Sequence, residues 1–169
     1  MKNMKKILIL VVLFSGFAVS SFAQGGSATK SATSHANIIT PISISGDATM
    51  EFGNLAVSAS SGTAVLDNAN GLGVSGGVSK VGGISPKSAA FTVAGAASTN
   101  YSVTLPPSTI TLTGSNGGTM ILWNFTSNCS GNTQAGGIDY FKVGATLNVD
   151  GSQVAGSYSG VFDVTVNYN

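Results

Sequence analysis

Every second residue from Tyr158 to Tyr168 is apolar, aromatic or glycine (Tyr158, Gly160, Phe162, Val164, Val166, Tyr168), while Ser157, Ser159, Asp163, Thr165, Asn167 and Asn169 fill most of the gaps. A period of two sends alternate side chains to opposite faces of a strand. The closing segment is therefore expected to be a half-buried β-strand with Tyr158, Phe162, Val164 and Val166 as its core face. The same period opens the patterned region: "ANIITPISIS" alternates through Ala36, Ile38, Thr40, Ile42 and Ile44. Its Pro41 falls on the opposite parity, which suits an edge strand or a bulge because proline donates no ladder hydrogen bond. "TMEFGNLAV" alternates through Met50 and Phe52 and changes parity at Gly53, a place for a bulge or a crossover between sheets.

"GTAVLD" reads as a short strand, and "NANG" after it as a turn whose Asn and Gly suit positive φ. The glycine-rich "LGVSGGVSKVGGISPK" is weakly patterned and is expected to be a loop or an irregular edge. Regular strands resume with "AAFTVAG", "NYSVTLP" and "TITLT". In "TMILWNFT" the pattern puts Ile121, Trp123 and Phe125 on one face and Met120 and Leu122 on the other, so the strand is apolar on both sides. "YFKVGATLNVD" carries Phe141, Val143, Ala145, Leu147 and Val149 in alternation, and a Gly/Ser turn over residues 151–157 offers a hairpin to the closing strand. No later segment shows a 3.6-residue period. The expectation is an all-β, two-layer antiparallel β-sandwich of about eight to ten strands.

The first residues differ. Lys2, Lys5 and Lys6 precede an apolar run from Ile7 to Val19, and Ser21-Phe22-Ala23 supplies the small residues of a cleavage site, so residues 1–23 read as a secretory signal peptide. The run falls short of the roughly 20 residues of a membrane span, and no mature transmembrane segment is expected. Residues 24–35 lack large apolar side chains and read as a flexible leader, leaving residues 36–169 as one β-sandwich domain. Localisation follows as exported, to the periplasm, cell surface or extracellular space.

Composition narrows the function classes. After residue 23 there are four lysines (Lys30, Lys80, Lys87, Lys142) against six acids, and no arginine, so clustered cations for a nucleic acid partner are missing. Charged residues are only 8% of the chain, and hydroxyls and amides must solvate the surface. Such a surface repels its neighbours weakly. Cys129 is the single cysteine; a nucleophilic thiol needs a base, His35 is the only histidine, and the plain reading is a small residue in a Gly/Ser/Asn loop. His35 without a second ligand gives no metal site. "DNANG" at Asp67–Gly71 puts Ala69 where a calcium loop needs an oxygen, so it reads as a turn. Asp139, Asp150 and Asp163 are expected at strand edges or turns, and the scattered acids suggest no catalytic residue, no enzyme and no cofactor. The candidate ligand aromatics are Trp123 and Tyr140, whose rings can stack on sugars.

The stretches "ITPISIS", "MEFGNLAV", "FTVAG", "YSVTLP", "VGATLNV" and "GSYSGVFDVTVNY", in that order, resemble a family of secreted bacterial β-sandwich domains of unknown function that looks related to spore coat protein U and the chaperone–usher pilin subunits. The resemblance spans nearly all of the expected mature chain, residues 24–169. It implies an immunoglobulin-like sandwich and an exported subunit of a surface fibre, pilus-like or coat assembly. It further implies self-association through β-strand contacts, in which a neighbour's N-terminal extension fills a gap, and a periplasmic chaperone that covers the gap beforehand. On that implication Ile38, Ile42 and Ile44 are the assembly-strand candidates, within Ala36–Ser45. The alternative from another class is a monomeric secreted binding module for glycans or another surface protein, betrayed by exposed aromatics on one face. An unpaired edge beside an apolar groove would favour the subunit.

Overall fold

The alternation Phe141, Val143, Ala145, Leu147, Val149 belongs to β8 (Ile138–Val149), and all five side chains are buried. β8 organises the fold because it is long enough to pair with three strands. Along one edge its first half pairs with β4 (Ala89–Ala94) and its second half with β2 (Asn54–Leu66), while β7 (Thr119–Ser127) runs along the other edge. The computed structural model describes residues 25–169, so the expected signal peptide lies outside the described residues.

Ten strands and no helix are present among the described residues, and every strand pairing is antiparallel. The remaining strands are β1 (Ser43–Ala48), β3 (Leu72–Val81), β5 (Tyr101–Thr104), β6 (Ile110–Gly114), β9 (Tyr158–Ser159) and β10 (Thr165–Tyr168). Eight strands form one curled sheet in the order β1-β4-β8-β7-β6-β9, with β2 on β8 and β3 on β2; β10 and β5 form a second, two-stranded sheet. This is the expected all-β sandwich architecture.

Its core has two parts. One gathers Ala64, Leu66, Leu122, Leu147 and Val149, the other Val93, Tyr101, Phe141, Val143 and Val166. Met50, Phe125 and Phe162 pack against both and join them. Phe91 stacks on Phe141 with ring centroids 5.3 Å apart, and Phe125 meets Phe162 at 5.1 Å.

Four expectations need correction. The glycine-rich segment is a strand, β3, paired with β2 over most of its length. Its glycines are required where residues 58–61 of β2 bulge against Gly77, because a Cβ at Gly76 (φ 67°) would lie 2.5 Å from the Ser61 carbonyl oxygen. The strand expected from Ala36 begins only at Ser43, beyond Pro41, and continues through Asp47.

The closing strand does not form a hairpin with β8. β9 pairs with β6 and β10 with β5, and residues 160–164 cross between them. A Cβ at Gly160 would sit 2.7 Å from Leu112 Cδ2, so glycine lets the chain pass tightly over β6 as it leaves. Finally, Trp123 and Phe125 do not share a face. Asn124 (φ 49°) sets a bulge in β7, where Asn124 and Phe125 stand against Ala145 alone, and Phe125 turns into the core while Trp123 stays out.

Gly53 does mark a break: at φ 75° it follows the Glu51–Lys87 bridge and leads into β2. The Asp67–Gly71 turn also forms as expected, with Asp67 Oδ1 accepting from the Ala69 and Gly71 amides at 2.8 and 2.6 Å and Asn70 at φ 69°.

Candidate functional site

The inward face of β6, β7 and β8 is only partly covered. Between the segment after β1 and the segment before β9 a groove of about 1160 Å³ opens, with Leu112, Met120, Leu122, Leu147 and Val149 on its floor. One wall carries Phe52, Leu55 and Val57, reached by the parity switch at Gly53. A Cβ at Gly53 would stand 2.6 Å from the Ile84 carbonyl oxygen, so the close turn there depends on glycine.

Tyr158 pins the other wall. Its hydroxyl donates to the Val154 carbonyl at 2.6 Å and accepts from Gln153 Nε2 at 2.8 Å, while Gln153 Nε2 also reaches the Thr119 carbonyl at 3.1 Å. Phe162 closes one end over Phe125. Polar side chains sit at the rim: Glu51 Oε1 accepts from the Gly53 amide at 3.1 Å, and Asp47 lies nearby in the lining. The result is an apolar trough larger than the roughly 300–1,000 Å³ of small-molecule pockets.

The closing-strand residues reach the interior as their parity requires, although the strand is divided. Val166 is buried, Tyr158, Phe162 and Val164 are half-buried, and Val164 and Val166 join the second part of the core. The assembly-strand candidates separate. Ile42 and Ile44 pack on the core of their own chain, and Ile44 stands opposite Val93 of β4. Ile38 is 95% exposed in a stretch without regular secondary structure. Tyr168 holds the start of the domain: its hydroxyl donates to the Thr40 carbonyl at 2.7 Å and accepts from the Ala96 amide at 2.6 Å.

Trp123 and Tyr140 are both exposed, at 42% and 69%. Both lie on the outer side of the sheet, but Tyr140 and Thr146, the residue opposite Trp123, are six positions apart on β8, roughly 20 Å. The turn after β2 crosses Gly144 between them, where a Cβ would press on the Leu66 carbonyl. They do not form one platform.

Sequence reasoning missed a buried polar cluster. Asp139 is not at an exposed edge: it is 7% exposed on β8. The carboxylate accepts from Tyr101 Oη and Ser130 Oγ, each at 2.6 Å, and from the Tyr140 amide at 2.9 Å. Burial by itself pushes its pKa up, but these hydrogen bonds outweigh it and hold the carboxyl below the ordinary range. Burial, the bond to Asp139 and contact with Cys129 push the Tyr101 phenol up.

Cys129 is half-buried, its Sγ donating to Tyr101 Oη and accepting from the Gly131 amide, both at 3.2 Å. The cluster ties β5, β8 and the Cys129–Gly131 loop together. A signal existed in the Asp139-Tyr140 pair beginning an otherwise apolar strand, but its partners are 38 and 9 positions away. Among the described residues no group of three or more His, Cys, Asp or Glu could hold a metal ion.

The chain belongs to the family described as "Domain of unknown function (DUF4402)", whose model matches residues 42–168, from just before β1 to the end of β10. No curated protein and no solved structure shows significant similarity to it.

Proposed function

We propose that this protein is an exported, noncatalytic structural subunit of a surface fibre or coat assembly, and that it joins its neighbours by seating an extended segment in the apolar groove. The groove carries this reading. It leaves half-buried Leu112, Met120, Leu55 and Phe162 lining an open trough, a costly surface for an isolated domain and a suitable bed for alternate side chains of an added strand.

Three further features support it. Few charges oppose close packing of copies. The segment before β1 offers Ile38 and Ile39, both exposed, outside any strand. The N-terminal 23 residues have the plan of an export signal, and the patterned stretches resemble a family of secreted β-sandwich domains that looks related to the chaperone–usher pilins. In that setting a periplasmic chaperone would cover the groove before assembly. The donated residues are 24–39, because Tyr168 holds Thr40 and β1 itself is used within its own chain.

Light scattering on the mature protein tests the proposal. The full mature chain is expected to grow into oligomers with concentration, while deletion of residues 24–39, or Leu55→Arg in the groove wall, leaves a folded monomer by circular dichroism. A mature protein that stays monomeric at high concentration, with and without seeds, would sink the subunit reading.

A further inference from the structure

On the face turned away from the groove, three adjacent strands bring together Thr63 of β2, Asn148 of β8 and Trp123 of β7. Thr63 stands directly opposite Asn148, and Trp123 lies opposite Thr146, two positions back along β8. The Trp123 indole N–H donates to Asn148 Oδ1 at 2.9 Å. The ring is thus held in one orientation with its polar atom already satisfied, and what it offers to solvent is its aromatic surface. The bulge at Asn124 makes this arrangement compatible with the core: without it Trp123 and Phe125 would point the same way, and Phe125 is needed inside against Phe162.

Next to Asn148 the surface dips into a depression of about 260 Å³ lined by Ser61, Gly62, Thr63, Asn148, Val149 and Asp150. Thr63 Oγ1 is paired with Ser75 Oγ at 2.7 Å, which orders the hydroxyls at its edge. We propose that this face is a binding site for a neutral carbohydrate, with the Trp123 ring under the C–H face of a sugar and Asn148, Thr63 and Asp150 bonding its hydroxyls.

The charge pattern selects the ligand class. Asp150 is the only ionisable group lining the depression, and a site for phosphate or an acidic polysaccharide would need cations there. The chain has no arginine, and Lys142, on the same face of β8, is six residues from Asn148, roughly 20 Å away. A protein partner fits less well. The large apolar side chains exposed on these strands beside the site are Val65 and Trp123, far from the contiguous patch that a protein interface core uses. Trp123 and Asn148 stand on the opposite side of the sheet from the groove, since Leu147 and Val149 are buried on the groove side while Asn148 faces out; Val149 alone borders both the groove and the depression. The site therefore stands whether or not the chain assembles.

Trp123 is the single tryptophan of the chain, so intrinsic fluorescence reports on this site alone. The mature protein would be titrated with cello-, chito-, manno- and xylo-oligosaccharides up to roughly 10 mM, enough to detect millimolar affinity. At least one neutral oligosaccharide is expected to shift or quench the emission saturably. Asn148→Ala and Asp150→Ala should weaken that response by about tenfold or more, and Leu55→Arg in the groove should not change it. Affinity electrophoresis in gels containing the matching polysaccharide extends the test to Trp123→Ala, which should abolish retardation while leaving the circular dichroism unchanged.

Silence with all four series, retardation that survives Trp123→Ala, or retardation by an acidic polysaccharide such as alginate alone would overturn the proposal. Emission that moves with protein concentration and not with sugar would also overturn it, by assigning the face to contact between copies.

Discussion

Phe162 shows how one side chain can hold two parts of a core together. It touches both clusters and lies over Phe125, although its own backbone belongs to no strand. Phe162→Ala is expected to cost about 3 kcal/mol of stability, whereas Asn167→Ala, an exposed neighbour on β10, should cost less than about 0.5 kcal/mol. Denaturant melts giving equally mild effects would remove Phe162 from the core. Gly53 makes the opposite case, a residue defined by what it lacks. Its φ of 75° and the nearby Ile84 carbonyl mean that Gly53→Ala should destabilise by about 1–2 kcal/mol or more and loosen the Phe52–Leu55 wall. A thermal melt unchanged from the parent would show that the turn tolerates a Cβ.

At the scale of elements, the seam between β5, β8 and the Cys129–Gly131 loop is a buried carboxylate with three donors. Asp139 has a folded-state pKa below the ordinary aspartate value of 3.8. A depressed carboxyl contributes stability that is present above the unfolded pKa and is lost as pH falls through the folded one. The protein should therefore lose stability as pH drops below about 4, and Asp139→Asn should flatten that part of the profile while lowering stability at neutral pH by about 1–3 kcal/mol. Chemical denaturation between pH 7 and pH 2 checks both; an unchanged acid limb in the variant would mean that other groups drive it. Tyr101→Phe should remove one donor, lower stability at neutral pH and shrink the acid-side loss, since the carboxyl would then titrate closer to its ordinary value in the folded state.

For the molecule as a whole, β1 is the decisive element. It sits at the sheet edge, with β4 as its strand partner, and Tyr168 fastens the residues just before it. Removing residues 24–39 spares this strand. Removing residues 24–48 strips the ladder from β4 together with Ile42 and Ile44, and circular dichroism should then report an unfolded or greatly destabilised domain. A cooperative melt near that of the parent after the longer deletion would show β1 to be dispensable, and would make it available for donation to a neighbour.

What the sequence determined by itself is local: the class of fold and the faces of its best strands. Alternation named the buried set of β8, the inward set at the closing end and the break at Gly53, because side-chain direction in a strand depends only on parity. It could not reveal partners. The Gly-rich β3 lacked an apolar signal because its glycines answer a bulge in another strand. The Asp139 cluster joins residues distant in sequence, and Trp123 and Phe125 part company through a single positive φ at Asn124. The closing segment kept its inward parity while its pairing passed from β6 to β5, with Tyr158 lining the groove and Val166 in the core. The groove, likewise, is set by where two distant segments stop short of each other, and only the folded chain decides that.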